Sequence, residues 1–196
     1  MDGFKNEISS LNKAGTPQGG IISPLLCNVA LHGMETLLLK NFRRDGVKII
    51  RYADDFLVMG RNLEDIKKAK RIVVDFLQTV DLELSEEKTR IGHSMHKMNE
   101  GSKAGVDFLG YHFRNYETSK HRGVKSTHGV KQNFKQVSMP SKDSVKSHKE
   151  DIKDILKKYK NAPRKAILAR LSANIQGWTQ YHAVTQCSRY FSYLDK

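Results

Sequence analysis

Asp54 and Asp55 stand side by side within Arg51-Tyr52-Ala53-Asp54-Asp55-Phe56-Leu57-Val58. Adjacent carboxylates repel, so a fold that aims both at one place generally supplies a cation to neutralise them. Neighbours on a regular strand point to opposite faces, whereas at a hairpin turn both can approach one site. Hard oxygen donors of this kind suit Mg²⁺, which takes one or two carboxylates together with phosphate oxygens and waters. The competing reading is ordinary turn chemistry, in which Asp serves only the local backbone. A second candidate is Gly15-Thr16-Pro17-Gln18-Gly19-Gly20, a glycine-rich turn leading into Ile21-Ile22-Ser23-Pro24. Glycine lets a backbone approach a ligand closely and a helix N-terminus attracts anions; a tight turn ahead of a capped helix fits the same residues.

The elements that must position these groups follow from periodicity. Ser23 offers an N-cap with Pro24 at the first helical position, and Leu26, Val29, Ala30, Met34, Leu37 and Leu38 share one face of a helix expected to reach about Arg44. Two β-rich runs on either side of Ala53-Asp54-Asp55 predict a hairpin over 47–60. Asn62 can cap a further helix, in which Ile66, Ala69, Ile72, Val73, Phe76, Leu77 and Val80 keep the helical period. SEEKTRIGHS after Leu84 predicts a turn entering a short strand, and DFLGYHF (107–113) predicts another strand. Residues 114–139 lose periodicity and read as a basic connector. Pro140-Ser141 opens a helix with Val145, Ile152, Ile155, Leu156 and Tyr159 on one side; Pro163 opens the next, with Ile167, Leu171, Ile175 and Trp178, and a short last helix holds Tyr190, Phe191 and Leu194. The class is α+β for 1–112 and all-α from about 141.

The 196 residues carry 34 Lys and Arg against 21 Asp and Glu, a net +13, and the excess is concentrated. Residues 1–112 hold 16 basic against 15 acidic side chains; residues 113–196 hold 18 against 6. Such asymmetry points to a second module facing phosphate or another anionic surface, with a solvated lysine-rich helix face as the alternative. No apolar run nears the ~20 residues that span a bilayer, and the first twenty residues lack a signal-peptide core, so the expectation is cytoplasmic. Cys27 and Cys187 form no C-x-x-C, and Cys27 sits on an apolar helix face as core. None of the eight histidines reads as a metal ligand.

Taken in order, GTPQGGIISPLLCNVALHGME, RYADDFLV, LSEEKTRIG and DFLGYHF resemble the later palm motifs of reverse transcriptases, and more narrowly those of proteins encoded by group II introns. Ile22-Ser23-Pro24-Leu25-Leu26-x-Asn28-x-x-Leu31-His32-Gly33-Met34-Glu35 carries most of that narrower likeness. Ile175-Gln176-Gly177-Trp178-x-x-Tyr181 resembles the maturase-specific domain X, the helical thumb. The resemblance implies a palm over 1–113, a connector over 114–140 and a thumb over 141–196.

It also implies roles. Asp54 and Asp55 would hold two Mg²⁺ ions for RNA-directed DNA synthesis. Gln18 and Gly19 would line the dNTP pocket, and Ala53 would leave room for the primer end. Lys88 would neutralise or protonate the leaving pyrophosphate, or stand as a solvated turn lysine. Phe108, Leu109 and Gly110 would form the primer grip, or plain strand core. Lys142, Lys146, Lys149, Lys153 and Lys157 would track the backbone of primer–template or intron RNA. Trp178 and Tyr181 continue an apolar stripe and read as thumb core. The fingers, and an earlier palm strand bearing another catalytic Asp, are not found in these 196 residues, and no Cys/His endonuclease module follows. The expectation is therefore a palm-plus-thumb fragment without unaided polymerase activity, the N-terminal half coming from another chain; the alternatives are an RNA-binding splicing cofactor or a non-functional remnant.

Overall fold

A computed structural model describes residues 21–43, 46–98, 103–118, 124–125, 129 and 131–184. The elements are α1 (Ser23–Ala30), α2 (Met34–Lys40), β1 (Val47–Tyr52), β2 (Asp55–Gly60), α3 (Leu63–Gln78), β3 (Val106–Phe108), β4 (Tyr111–Glu117), β5 (Val124–Lys125), β6 (Lys131–Gln132), β7 (Phe134–Pro140), α4 (Lys142–Lys158) and α5 (Arg164–His182). The class is α+β, as expected: small antiparallel sheets with packed helices, followed by a helical segment. The chain divides into two units, residues 1–91 and 92–196, described here separately.

In the first unit β1 and β2 form an antiparallel hairpin running from Val47 opposite Gly60 to Tyr52 opposite Asp55. Helix α3 is anchored by its cap: Asn62, in extended backbone, accepts from the Asp65 amide at 2.8 Å. Glu64 and Asp65 sit in the first turn, where the helix dipole favours negative charge. Its buried stripe of Ala69, Val73 and Leu77 closes on Leu31, Met34, Leu38 and Val47, and Cys27 packs against this core as expected. Burial of such side chains contributes roughly 1.5–3 kcal/mol each for the larger ones, so this cluster is what holds the hairpin to its helices.

Two expectations for the first unit need correction. The helix expected to run unbroken to about Arg44 is two helices: α1 closes at its C-cap Leu31, and Gly33, left-handed at φ +87°, is the N-cap from which α2 starts in a new direction. Ser23 is not the cap: Ile22 takes that place without a side-chain bond, and Ser23 and Pro24 lie inside the helix.

In the second unit β3, β4 and β7 form one antiparallel sheet in that order, and α4 and α5 pack against each other. DFLGYHF is a hairpin rather than one strand, turning at Leu109-Gly110, both at positive φ (+49° and +73°), as tight two-residue hairpin turns demand. Residues 114–139 are not featureless either. Strand β4 continues to Glu117, β5 pairs with β6, and β7 pairs along the whole of β4, from Tyr111 opposite Pro140 to Glu117 opposite Phe134. SEEKTRIGHS makes its turn, closed by the Thr89 amide on the Ser85 carbonyl at 2.9 Å, but enters no strand; instead the His93 and Ser94 carbonyls accept from the Gly105 and Asn115 amides. Helix α4 begins as read, with the Ser141 hydroxyl accepting from the Ser144 amide at 3.1 Å. The expected last helix of Tyr190, Phe191 and Leu194 lies outside the described residues.

Candidate functional site

The hairpin tip is Ala53-Asp54, with Asp55 opening β2. Ala53 sits at φ +53°, a conformation that costs an L-residue roughly 1–2 kcal/mol and is held by its surroundings. The holder is Arg51. Its Nε donates to Oε1 of Glu35 at 2.9 Å, and its Nη1 donates both to Oδ1 of Asn28 and to the carbonyl of Ala53, each at 3.0 Å. The tip is thereby tied to α1 through Asn28 and to α2 through Glu35. Sequence reasoning noted Asn28 and Glu35 only as parts of a family phrase and missed Arg51; three polar residues around a predicted turn were the available signal.

Asp54 and Asp55 are both exposed at this tip. Among the described residues no cation forms an ion pair with either; the nearby guanidinium is turned to Glu35 instead. Two solvent-facing carboxylates left to repel fit a hard divalent cation in donor type. Among the described residues no third Asp, Glu, His or Cys joins them in a cluster able to hold a metal. Magnesium takes one or two carboxylates and commonly completes its shell with waters and phosphate oxygens, so the pair offers enough protein oxygens for one ion of a larger site.

Gln18 and Gly19 are outside the described residues. Lys88 is exposed on the 85–89 turn, and among the described residues no hydrogen bond or ion pair joins it to the hairpin. Phe108, Leu109 and Gly110 are half-buried at the β3–β4 turn in the second unit.

That turn is clamped by the helices. The Gly110 carbonyl accepts from the Ser141 amide at 2.8 Å, at the start of α4. The Leu109 carbonyl accepts from the Tyr181 hydroxyl at 2.8 Å, and the Tyr111 hydroxyl donates to the Tyr181 carbonyl while their rings stack at 5.1 Å. Tyr181 is 53% exposed, so it covers the turn rather than filling thumb core. Trp178 is half-buried: it stacks on His148 at 4.6 Å and donates to Oγ of Ser144, which also bonds Nε2 of His182. Burial lowers the pKa of both histidines; Asp151 partly opposes this at His148, and His148 adds to it at His182. Neither histidine carries a signal of this role in sequence beyond the 178–182 spacing, which places His182 one helical turn from Trp178.

Along α4, Lys142, Lys146, Lys149, Lys153 and Lys157 recur at intervals of four, three, four and four residues, which gathers them on one stripe. Helical rise makes the stripe about 22 Å long. Lys149 is half-buried and the other four are exposed; Lys146 lies 3.9 Å from Glu150. His148 is buried, and Val145, Ile152 and Ile155 are half-buried on the face adjoining the stripe. Among the described residues no helix is long and apolar enough to cross a membrane.

Residues 3–113 match the family "Reverse transcriptase (RNA-dependent DNA polymerase)", more than half of the chain, and the chain belongs to that family. Residues 145–196 match "Group II intron, maturase-specific domain", so the chain fits a fragment of a group II intron reverse transcriptase/maturase. It is similar to the Retron Mx65 reverse transcriptase of Myxococcus xanthus, 32% identical over 74 residues, 38% of this chain and 17% of that protein. It is similar also to the telomerase reverse transcriptases of Mus musculus (40% over 53 residues, 27% of this chain and 5% of that one) and Canis lupus familiaris (31% over 90 residues, 46% and 8%). The matched stretch spans under a fifth of each relative's length.

Proposed function

We propose that this chain contributes the metal-binding hairpin and the RNA-binding thumb of a group II intron reverse transcriptase/maturase acting in the cytoplasm. The observation that carries the reading is the Ala53-Asp54-Asp55 tip, with two exposed carboxylates beside a strained, clamped turn, inside the segment that matches the reverse transcriptase family. Asp54 and Asp55 are the residues that would hold Mg²⁺. The chemistry supplied by two ions held there is activation of a primer 3′-hydroxyl and stabilisation of the departing pyrophosphate. A further carboxylate, from a segment outside the described residues or from another chain, completes the cage.

The other roles divide along the chain, with 1–113 as palm, 114–140 as connector and 141–196 as thumb. Gln18, Gly19 and Ala53 shape the dNTP and primer-end pocket, and Lys88 meets the leaving pyrophosphate. Phe108, Leu109 and Gly110 hold the primer strand through main-chain groups whose position the thumb helices fix. Lys142, Lys146, Lys149, Lys153 and Lys157 bind the sugar–phosphate backbone of primer–template or intron RNA; such contacts set position and leave sequence unread.

The test is Mg²⁺-dependent primer extension on an RNA template, with and without an N-terminal reverse transcriptase half supplied in trans. The reading expects extension only with the added half and its loss in Asp54→Asn, while salt-sensitive binding of intron RNA survives that substitution. Extension undiminished in Asp54→Asn, or RNA binding indifferent to salt, overturns it.

A further inference from the structure

Three hydrogen bonds converge on one guanidinium beside the two carboxylates, and their arrangement is informative. An arginine three and four residues from an Asp pair would ordinarily turn to it, since opposite charges in reach of one another pair. Arg51 is turned elsewhere. Its charge is spent on Glu35, and its second set of donors spans Asn28 and the Ala53 carbonyl. The Arg51 side chain is only 17% exposed, so it is packed in this pose. The residue it grips through the backbone, Ala53, is the one held at positive φ immediately before Asp54.

The helix break makes this possible. In an unbroken helix Asn28 and Glu35, seven residues apart, would be separated by about 10.5 Å along the axis. Gly33 breaks the helix between them, and both side chains meet the same guanidinium.

We infer that Arg51 is a positioning residue: with Glu35 and Asn28 it locks the Ala53-Asp54 turn in a metal-binding pose and keeps its own charge off the two carboxylates. This rests on the proposal that Asp54 and Asp55 hold the metal. It assigns Glu35 a distinct task, that of occupying the guanidinium so that no internal cation competes at the tip. A purely electrostatic account gives the opposite sign for Arg51, because deleting a cation near two carboxylates strengthens their hold on Mg²⁺. Positioning requires the deletion to weaken it.

The experiment uses the full chain with Fe²⁺ in place of Mg²⁺ and ascorbate with hydrogen peroxide, so that hydroxyl radicals cut the backbone beside the bound ion. The cut at residues 52–55, followed against Fe²⁺ concentration, reads affinity at the tip without any polymerase activity. Expected are a cut in the unaltered chain, its loss in Asp54→Asn, and an apparent affinity about tenfold weaker in Arg51→Gln, the size typical of removing a support behind a metal ligand. Arg51→Lys, which keeps the charge but not the fork, falls between, and Glu35→Gln weakens binding as well. The unfolding midpoint of each variant is measured alongside; should Arg51→Gln not fold, Asn28→Ala, altered at an exposed position of α1, carries the comparison with the same sign. Affinity unchanged or tighter in the folded variant overturns the positioning role alone. Absence of the cut in the unaltered chain, or its persistence in Asp54→Asn, overturns the metal site and the positioning role with it.

Discussion

The hydroxyl of Tyr181 donates to the main-chain carbonyl of Leu109 at 2.8 Å, joining the end of α5 to the turn between β3 and β4. The pair is 72 residues apart in sequence, yet each belongs to a short motif legible on its own: Phe108-Leu109-Gly110 and Gly177-Trp178-x-x-Tyr181. Leu109 is also at positive φ, so the tyrosine holds a turn that an L-residue does not adopt unaided. Helix α5 and the β3–β4 turn are therefore one mechanical unit.

Removing that hydroxyl tests the coupling. Tyr181→Phe keeps the ring stacked on Tyr111 and should cost about 1 kcal/mol of unfolding free energy, the net worth of a typical hydrogen bond. The loss is read from urea unfolding of the full chain. An unchanged midpoint would mean that the turn is held by the Ser141–Gly110 bond and the strand register without help from α5.

Three glycines separate space from conformation. A Cβ added at Gly33 or at Gly177 meets nothing within 4 Å, but Gly33 is at φ +87° while Gly177 lies inside α5. Gly33→Ala should therefore destabilise by about 1 kcal/mol or more through backbone strain, and Gly177→Ala should stabilise by roughly 0.5–1 kcal/mol through helix propensity. Gly105→Ala should be the worst of the three, since its Cβ would sit 2.6 Å from the Phe113 carbonyl oxygen at φ +96°. Urea midpoints of the three single variants give the order directly.

Acid should loosen the second unit. His148 and His182 are 4% and 0% exposed, and burial holds both below the ordinary histidine pKa of 6.5. The unfolded chain then binds more protons than the folded one just below that value, so stability is full above pH 6.5 and falls as pH drops from there through the folded pKa values. His148→Phe keeps a ring against Trp178 and removes one of the titrating groups, and it should shrink the loss between pH 7 and pH 5. Equal acid sensitivity in the variant and the parent would place the titration elsewhere.

What could be read from sequence, and what could not, follows the range of the interactions. The cap at Asn62, the stripe of Ala69, Val73 and Leu77, and the hairpin around Ala53-Asp54-Asp55 are set by neighbours a few residues away, and the pattern shows them. Strand β7 hid among lysine, glutamine and serine because its hydrogen bonds are supplied by β4, some twenty residues earlier. The turn at 109–110 hid because leucine is an uncommon left-handed residue, tolerated here under Tyr181. The break before α2 was within reach, since Gly33 readily takes the left-handed backbone found at its N-cap; the apolar stripe running past it masked the signal. At the candidate site the carboxylates were legible as a pair, and the guanidinium that shapes their turn was not, because its partners come from two different helices.

The lysine stripe on α4 makes the last prediction quantitative. Lys153 and Lys157 are exposed, and no ion pair engages either among the described residues. If each meets one phosphate, binding releases one counterion per contact, and the slope of log affinity against log salt carries about 0.7–0.9 for each, depending on strandedness. Replacing both by Gln should then lower the slope by roughly 1.4–1.8. The loss of affinity should be similar for intron RNA and for an unrelated duplex, because phosphate contacts position and do not specify. A solvated helix face predicts something else: removing two charges from a strongly basic chain weakens long-range attraction slightly, but the slope stays close to that of the parent. Filter binding of the full chain across a salt series, with the double variant and a control pair placed off the stripe at Lys67 and Lys70, distinguishes the two. The stripe reading fails if the control pair changes the slope as much as Lys153 and Lys157 do.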